Sequence, residues 1–216
     1  MAEIIENRYD FVVLFDVKDG NPNGDPDADN MPRIDQETGH GLVTDVCLKR
    51  KIRNYVEAIK EDRAGYRIYI KDTAPLAQLD QEACKALGIT DIKGLKKKTP
   101  QADEKIRDFM CSNFFDIRTF GAVMTTFVQG ALNCGQVRGP VQFGFARSID
   151  PIVPQEISIA RTAITKVTDF YTKRATIGRK FIVPYALYKV EGYVSANLAR
   201  KTTGFSEEDL ALLWQA

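Results

Sequence analysis

The feature that most constrains the fold is the order of strand-like and helix-like segments along the 216 residues. Residues 8–17 (RYDFVVLFDV) are rich in β-branched and aromatic side chains, and apolar residues on both faces predict a central strand. Residues 18–43 are rich in Gly, Pro, Asp and Asn, which predicts a long loop, and a loop of this length is usually either functional or disordered. Residues 44–62 then predict a helix, because apolar residues recur there at helical spacing.

That predicted helix has two different faces. Its apolar stripe consists of Leu48, Ile52, Tyr55 and Ile59. Lys49, Arg53 and Lys60 fall together on a neighbouring face at about 100° per residue, with Arg50 at its edge. We therefore expect the helix to bury one side and to present a cationic strip on another.

The later segments mix both periodicities. Strands are predicted at residues 66–71, 116–126, 136–150, 156–164 and 181–196, and helices over most of 75–113. Ser206 begins a last helix, with Asp209 at the capping-box position. Because strands and helices do not alternate regularly, the sequence favours an α+β fold with a mostly antiparallel sheet.

A decorated βαββαβ core of the ferredoxin-like type fits this order best, although its last strand is not present in the sequence. We predict one domain over residues 1–216. It carries a helical insertion at about 73–115 and a hairpin that resembles a thumb at about 161–180.

The amino-acid composition limits the kinds of binding and catalytic site that the chain can form. There are 30 Lys and Arg against 29 Asp and Glu, so any nucleic-acid partner must be recognised by local charge. Four cysteines without a C-x-x-C pair make a zinc ribbon a poor fit and suit a reducing cytoplasm. No apolar run is long enough to span a bilayer. His40 is the single histidine, so any Ser-His-Asp or Cys-His mechanism depends on it.

The stretch DGNPNGDPDADN, residues 19–30, begins like an EF-hand calcium loop. Position 12 of such a loop should be a bidentate Glu, but it is Asn30, and a strand precedes it instead of a helix. Calcium is therefore disfavoured.

Three interpretations of this stretch stay open. Aspartates can hold Mg²⁺ at a phosphodiester in a nuclease; the candidates are Asp16, Asp19, Asp25, Asp27 and Asp29. Asp and Asn also dominate ordinary turns. In the third interpretation the loop lies beside the cationic helix, where Asn21, Asn23 and Asn30 donate to phosphates or sugar hydroxyls and Arg33 adds charge.

Several long blocks resemble a known family. These are residues 8–56, the segments DIRTFGAVMTT and CGQVRGPVQFGFARSIDPIVPQEISIAR, and GRKFIVPYALY. They resemble the backbone subunit of the type I-C CRISPR surveillance complex, Cascade, from Asn7 onward.

The resemblance implies an RRM-like, ferredoxin-like core of the RAMP group. It implies a non-catalytic subunit, without cofactor or metal, that binds CRISPR guide RNA irrespective of sequence. Copies would polymerise head to tail along the RNA, and a thumb hairpin from each would displace one nucleotide of the guide–target duplex. The implied partners are guide RNA, target DNA through the guide, further copies of the chain and other Cascade subunits, with no membrane.

The expected RNA contacts combine cations, amides and aromatic rings. They are Asn21, Asn23, Arg33, Lys49, Arg50, Arg53, Arg118, Phe120, Gln136, Arg138, Gln142, Arg161, Phe170, Tyr171, Arg179 and Lys180. Simpler interpretations exist for each group: a solvated helix face, a strand end with Phe120 in the core, polar strand faces, and a surface loop at the thumb.

Two departures from the family pattern affect these expectations. The family continues past SEEDLALLW and supplies the last core strand there, whereas this sequence ends at Ala216. The segment FVQGAL is interpreted as a small insertion near the sheet. Two alternatives to the scaffold remain: a metal-dependent nuclease that uses the loop aspartates, and an acid-base ribonuclease that uses His40.

Overall fold

A computed structural model describes residues 3–72, 75–89, 102–124, 134–161 and 176–216. Its contacts divide the chain into two compact units. Unit 1 consists of Met1–Phe11, Leu48–Phe143 and Gly192–Ala216, and unit 2 of Val12–Cys47 and Gly144–Glu191. No helix in the described ranges is long and apolar enough to cross a membrane.

The strands are β1 (Tyr9–Gly20), β2 (Gly24–Asp25), β3 (Met31–Pro32), β4 (His40–Val43), β5 (Gly121–Val123), β6 (Gln136–Arg138), β7 (Val141–Phe143), β8 (Ala146–Pro151), β9 (Gln155–Arg161) and β10 (Thr176–Val194). The helices are α1 (Asp45–Lys60), α2 (Leu76–Ala86), α3 (Ala102–Asn113), α4 (Phe115–Phe120), α5 (Ala196–Leu198) and α6 (Glu207–Gln215). A 3-10 turn (Pro26–Ala28) and a π-helical turn (Ala199–Thr203) complete the set.

Unit 2 is built on antiparallel pairing. β8 lies between β10 and β4, with Tyr188 opposite Ser148 and Leu42 opposite Arg147. β9 pairs with β10 from Gln155 opposite Ile182 to Arg161 opposite Thr176. This pairing forms the base of the predicted hairpin. The strand pairings confirm a mixed α and β fold with a mostly antiparallel sheet.

Unit 1 contains clusters of buried side chains. One joins α2 and α3 around Ile106, Met110 and Phe114. Another joins β7, β10 and α6 around Phe205 and Val141. The predicted start of α6 is confirmed, because the side chains of Ser206 and Asp209 form a reciprocal capping box.

The predicted strand at 66–71 is wrong. This segment has only an isolated bridge between Arg67 and Phe114 among the described residues. The backbone N–H groups of Tyr69 and Ile70 donate to the carboxylate of Asp116 at 2.8 and 3.0 Å. A side chain distant in sequence therefore takes the donors that a neighbouring strand would have taken.

Three further expectations change. Residues 116–120 belong to helix α4, and of the described part of the predicted strand only β5, at 121–123, is extended. The region 18–43 is largely ordered by β1, β2, β3 and β4. β1 stands at the end of the sheet order with Val12 and Leu14 exposed, so it is not the central strand that its two apolar faces predicted.

The helical insertion is described in part, as α2 and α3. The stripe predicted on α1 is partly correct: Ile52 and Tyr55 pack against the core, but Ile59 is exposed and Val56 is the buried residue. The FVQGAL segment lies outside the described residues. The single-domain assignment stays a prediction.

Candidate nucleic-acid interface

A cleft of about 420 Å³ in unit 1 brings together four of the residues proposed from the sequence. It is lined by Phe120, Gln136, Arg138 and Gln142, together with Val123 and Leu198. Gln136, Arg138 and Gln142 are exposed, while the intervening Val137 and Val141 are buried, as the alternating pattern predicts. The alternation therefore aims polar side chains at one surface.

Two glycines allow the walls of this cleft to meet closely. Gly121 has φ of 82° and lies opposite Arg138; a Cβ atom on Gly121 would stand 2.3 Å from the carbonyl oxygen of Val137. A Cβ atom on Gly139 would stand 2.2 Å from the carbonyl carbon of Phe120. Larger residues at these positions would force β5 and β6 apart.

Two cations of α1 lie over the ring of Phe120. The Nζ atom of Lys49 is 5.8 Å from the ring centroid, and the Cζ atom of Arg53 is 5.2 Å away. Their spacing of one helical turn places both on the same face of the helix. The cationic strip thus lies against Phe120, which is only 7% exposed and belongs to the apolar cluster around Phe205, as the simpler interpretation expected.

Part of that strip is bound within the protein. The Nε–H of Arg53 donates to Asp116 at 2.8 Å, and the Arg53 side chain is 11% exposed. Arg50 donates from Nη1 to the carbonyl oxygen of Ile70. Arg53 therefore has a structural function in addition to the positive charge that it places beside the cleft.

Arg118 is a buried structural residue. Its guanidinium donates to both carboxylate oxygens of Asp209, at 2.8 and 2.7 Å, and to the carbonyl groups of Cys111 and Gly65. Burial opposes its charge, but the hydrogen bond and charge of Asp209 outweigh that effect and raise the pKa of Arg118. These contacts favour the folding role over the predicted RNA contact.

The loop residues of unit 2 organise the loop itself. Asn21 donates from Nδ2 to the carbonyl oxygen of Asn30 at 2.7 Å. The Oδ1 atom of Asn23 accepts from the backbone N–H and the hydroxyl of Thr44. The hydroxyl of Thr44 in turn accepts from the N–H of Cys47 at the start of α1. Both asparagines therefore shape the loop and the helix start.

Arg33 and His40 of unit 2 are also bound within the protein. Arg33 pairs with Asp25 at 3.3 Å. The Nδ1–H of His40 donates to the carbonyl oxygen of Ser148 at 2.8 Å. Within the described residues, no three His, Cys, Asp or Glu side chains are grouped to hold a metal ion.

The hairpin residues are only partly described. Arg179 and Lys180 are exposed, opposite Ser158 and Ile157, and Arg179 pairs with Glu156 at 3.1 Å. Phe170, Tyr171 and the side chain of Arg161 lie outside the described residues. Their RNA contacts stay predictions.

Sequence reasoning missed a second cleft of about 360 Å³. Its lining includes Glu104, Arg107, Asp108, Lys201 and Thr202, and it shares Gln136 and Val137 with the first cleft. Periodicity gave no signal for it, because residues nearly a hundred positions apart meet there. The run R-K-T-T before Gly204 is typical of a helix C-terminus and gave no sign of a cleft.

The chain matches the family model of the CRISPR-associated protein Cas7 over residues 7–216. It therefore belongs to the Cas7 family. This membership confirms the resemblance found in the sequence at the level of the family.

A curated relative, the CRISPR-associated protein Cas7 of Haloferax volcanii (strain DS2), is 27% identical over 228 residues, which include 97% of this chain. The chain spans 64% of that relative's length. A solved structure described as a CRISPR RNA-guided surveillance complex, pre-nicking, contains a chain of similar fold. The TM-score is 0.57 at 15% identity, over 96% of this chain and 70% of that one.

Proposed function

We propose that the chain is a non-catalytic subunit that binds CRISPR guide RNA through the clefts of unit 1. The observation that carries the proposal is the meeting of Phe120, Gln136, Arg138 and Gln142 in one cleft, with Lys49 over the Phe120 ring. Membership of the Cas7 family and the similarity to a chain of a surveillance complex support it.

The chemistry of the cleft suits sequence-independent binding. Cationic side chains attract phosphates whatever the base sequence, and aromatic or apolar surfaces accept any base face. Arg138 supplies an exposed cation, and Val123, 66% exposed, supplies apolar surface. The amides of Gln136 and Gln142 both donate and accept hydrogen bonds, so they do not select one base strictly.

The finer parts of the proposal follow the resemblance. They are membership of a type I-C complex, a ferredoxin-like RAMP core, and head-to-tail copies along the guide in the cytoplasm. Target DNA would be reached only through pairing with the guide. Such an arrangement is a heterologous interface that does not close, so it would extend along the RNA.

The test is the binding and integrity of a repeat-spacer RNA, with and without Mg²⁺. Arg53 is unsuitable for mutation because a change would leave Asp116 buried without its partner. The informative variant is Lys49→Glu with Arg138→Glu, and the control is Lys105→Glu, an exposed lysine of α3 that lines neither cleft.

We expect intact RNA, bound by the wild type and by the control. In the double variant, the salt dependence of log Kd should become shallower by roughly 0.7 for each phosphate that the protein no longer neutralises. Shortening of the RNA that requires Mg²⁺ would instead favour the nuclease alternative with the loop aspartates. Equal affinity of the wild type and the double variant would remove the clefts from the RNA path.

A further inference from the structure

The second cleft of unit 1, here called the polar cleft, carries charges of both signs. Glu104, Arg107 and Asp108 lie on one face of α3, since they are spaced by three and four residues. Lys201 and Thr202 of the π-helical turn complete the lining. Glu104, Asp108 and Lys201 are exposed, so a ligand can reach them.

The walls of the polar cleft are fixed in place by contacts within unit 1. Arg107 donates from Nη1 to the carbonyl oxygen of Cys134 at 3.4 Å. The hydroxyl of Thr202 lies within hydrogen-bond distance of two carbonyl oxygens, that of Leu198 in its own turn and that of Arg138, the latter at 3.0 Å. The π-helical turn is thereby attached to the same strand, β6, that lines the first cleft.

Continuity between the two clefts indicates that one ligand occupies both. Gln136 and Val137 line each of them. A strand of RNA in the first cleft would therefore pass next to the polar cleft. A track for phosphates alone would be lined by cations, whereas two carboxylates repel phosphate.

Carboxylates are acceptors only, and a sugar hydroxyl is the donor that RNA has and DNA lacks. We propose that the polar cleft recognises the ribose of the guide, with Glu104 and Asp108 accepting hydrogen bonds from 2′-hydroxyl groups. Lys201 and Arg107 offset the repulsion between those carboxylates and the adjoining phosphates. This inference rests on the proposed function and assigns the preference for RNA over DNA to one site.

The experiment compares the affinities of the wild type, Glu104→Gln, Asp108→Asn and the double variant for RNA and DNA of the same sequence. Removal of a negative charge strengthens both affinities, because both polymers carry phosphates. The ratio of the two affinities isolates the hydroxyl contact from that charge effect. Glu61→Gln is the matched control, since Glu61 is exposed, belongs to unit 1 and lines neither cleft.

We expect the RNA-to-DNA ratio to fall about tenfold in the double variant and to stay unchanged in Glu61→Gln. The reason is that the amide oxygens that replace the two carboxylates accept weaker hydrogen bonds than charged groups do. A second measurement needs no variant: single 2′-deoxy substitutions in the RNA should weaken binding to the wild type at discrete positions.

Wild-type binding to RNA with the same ratio in all variants, or with no sensitive 2′ position, would overturn the inference and leave the proposed function intact. Failure of the wild type to bind RNA would overturn both. A ratio that falls equally in Glu61→Gln would also contradict the assignment, because it would show a general effect of charge.

Discussion

The ion pair of Arg118 and Asp209 in unit 1 differs sharply in burial from the pair of Arg147 and Asp35 in unit 2. In unit 1 the ion pair of Arg118 and Asp209 is closed off from solvent, with side chains 10% and 2% exposed. In unit 2 the pair of Arg147 and Asp35 stands at the surface, with Arg147 55% exposed. Removing one partner of a buried ion pair lowers the free energy of unfolding strongly, whereas an exposed ion pair contributes little to it. The clefts therefore belong to the unit that contains this buried ion pair.

Unit 2 also leaves more apolar surface uncovered along its strands. Val12 and Leu14 of β1, Ile149 of β8 and Tyr185 of β10 are all exposed. In unit 1 the clusters around Phe114 and Phe205 enclose their apolar side chains. Among the described residues, unit 1 therefore encloses its apolar side chains more completely than unit 2 does.

The largest effect should come from a matched pair of arginine substitutions. Arg118→Met should lower the free energy of unfolding by about 3–5 kcal/mol, because Asp209 is left buried without its partner. Arg147→Met in unit 2 should change the free energy of unfolding far less, because its pair with Asp35 is exposed to water. Urea denaturation measures both, and equal costs would refute the contrast between the units.

A smaller effect is expected from a pair of glycine substitutions. Gly121→Ala places a Cβ atom against the carbonyl of Val137 at positive φ, and should cost roughly 1–3 kcal/mol. Gly144→Ala in unit 2 meets only the carbonyl of Glu191 at 3.7 Å, and should stay within about 0.5 kcal/mol. Thermal unfolding distinguishes the two, and a tolerant Gly121 would mean that the cleft wall is adaptable.

The smallest effect concerns pH and the exposed pair of unit 2. The hydrogen bond from Arg147 lowers the pKa of Asp35 to about 2 from a usual value of 3.8. A carboxyl whose pKa is lowered by folding stabilises the fold at pH values above its pKa in the unfolded state. That contribution is lost as the pH falls towards 2. The small stability difference between wild type and Asp35→Asn should therefore be present at pH 6 and shrink towards pH 2. A difference that grows on acidification would contradict the assigned pairing.

Local chemistry made part of this structure predictable. Ser206 and Asp209 identify a capping box by spacing alone, and the alternation of Gln136, Val137 and Arg138 correctly gave the exposed face of β6. Both signals depend on neighbours within a few residues. The strand-like composition of residues 156–164 and 181–196 likewise predicted strands there, and β9 and β10 overlap those two segments.

Other features depended on partners distant in sequence. The segment at 66–71 has strand-like composition, but the carboxylate of Asp116 binds its backbone and prevents a ladder. Arg118 was predicted to contact RNA. Its guanidinium instead donates to the carboxylate of Asp209, which lies 91 residues away in the sequence. The polar cleft joins α3 to the π-helical turn, and no spacing rule reveals such a meeting.

The most direct test of the central claim is photo-crosslinking of guide RNA that contains 4-thiouridine, followed by peptide mapping on the full chain. The account predicts crosslinks in the peptides that carry Phe120 and Arg138, and their disappearance in the Lys49→Glu, Arg138→Glu variant. Crosslinks confined to β9 and β10, or crosslinks that are unchanged in that variant, would contradict a guide-RNA site in the clefts of unit 1.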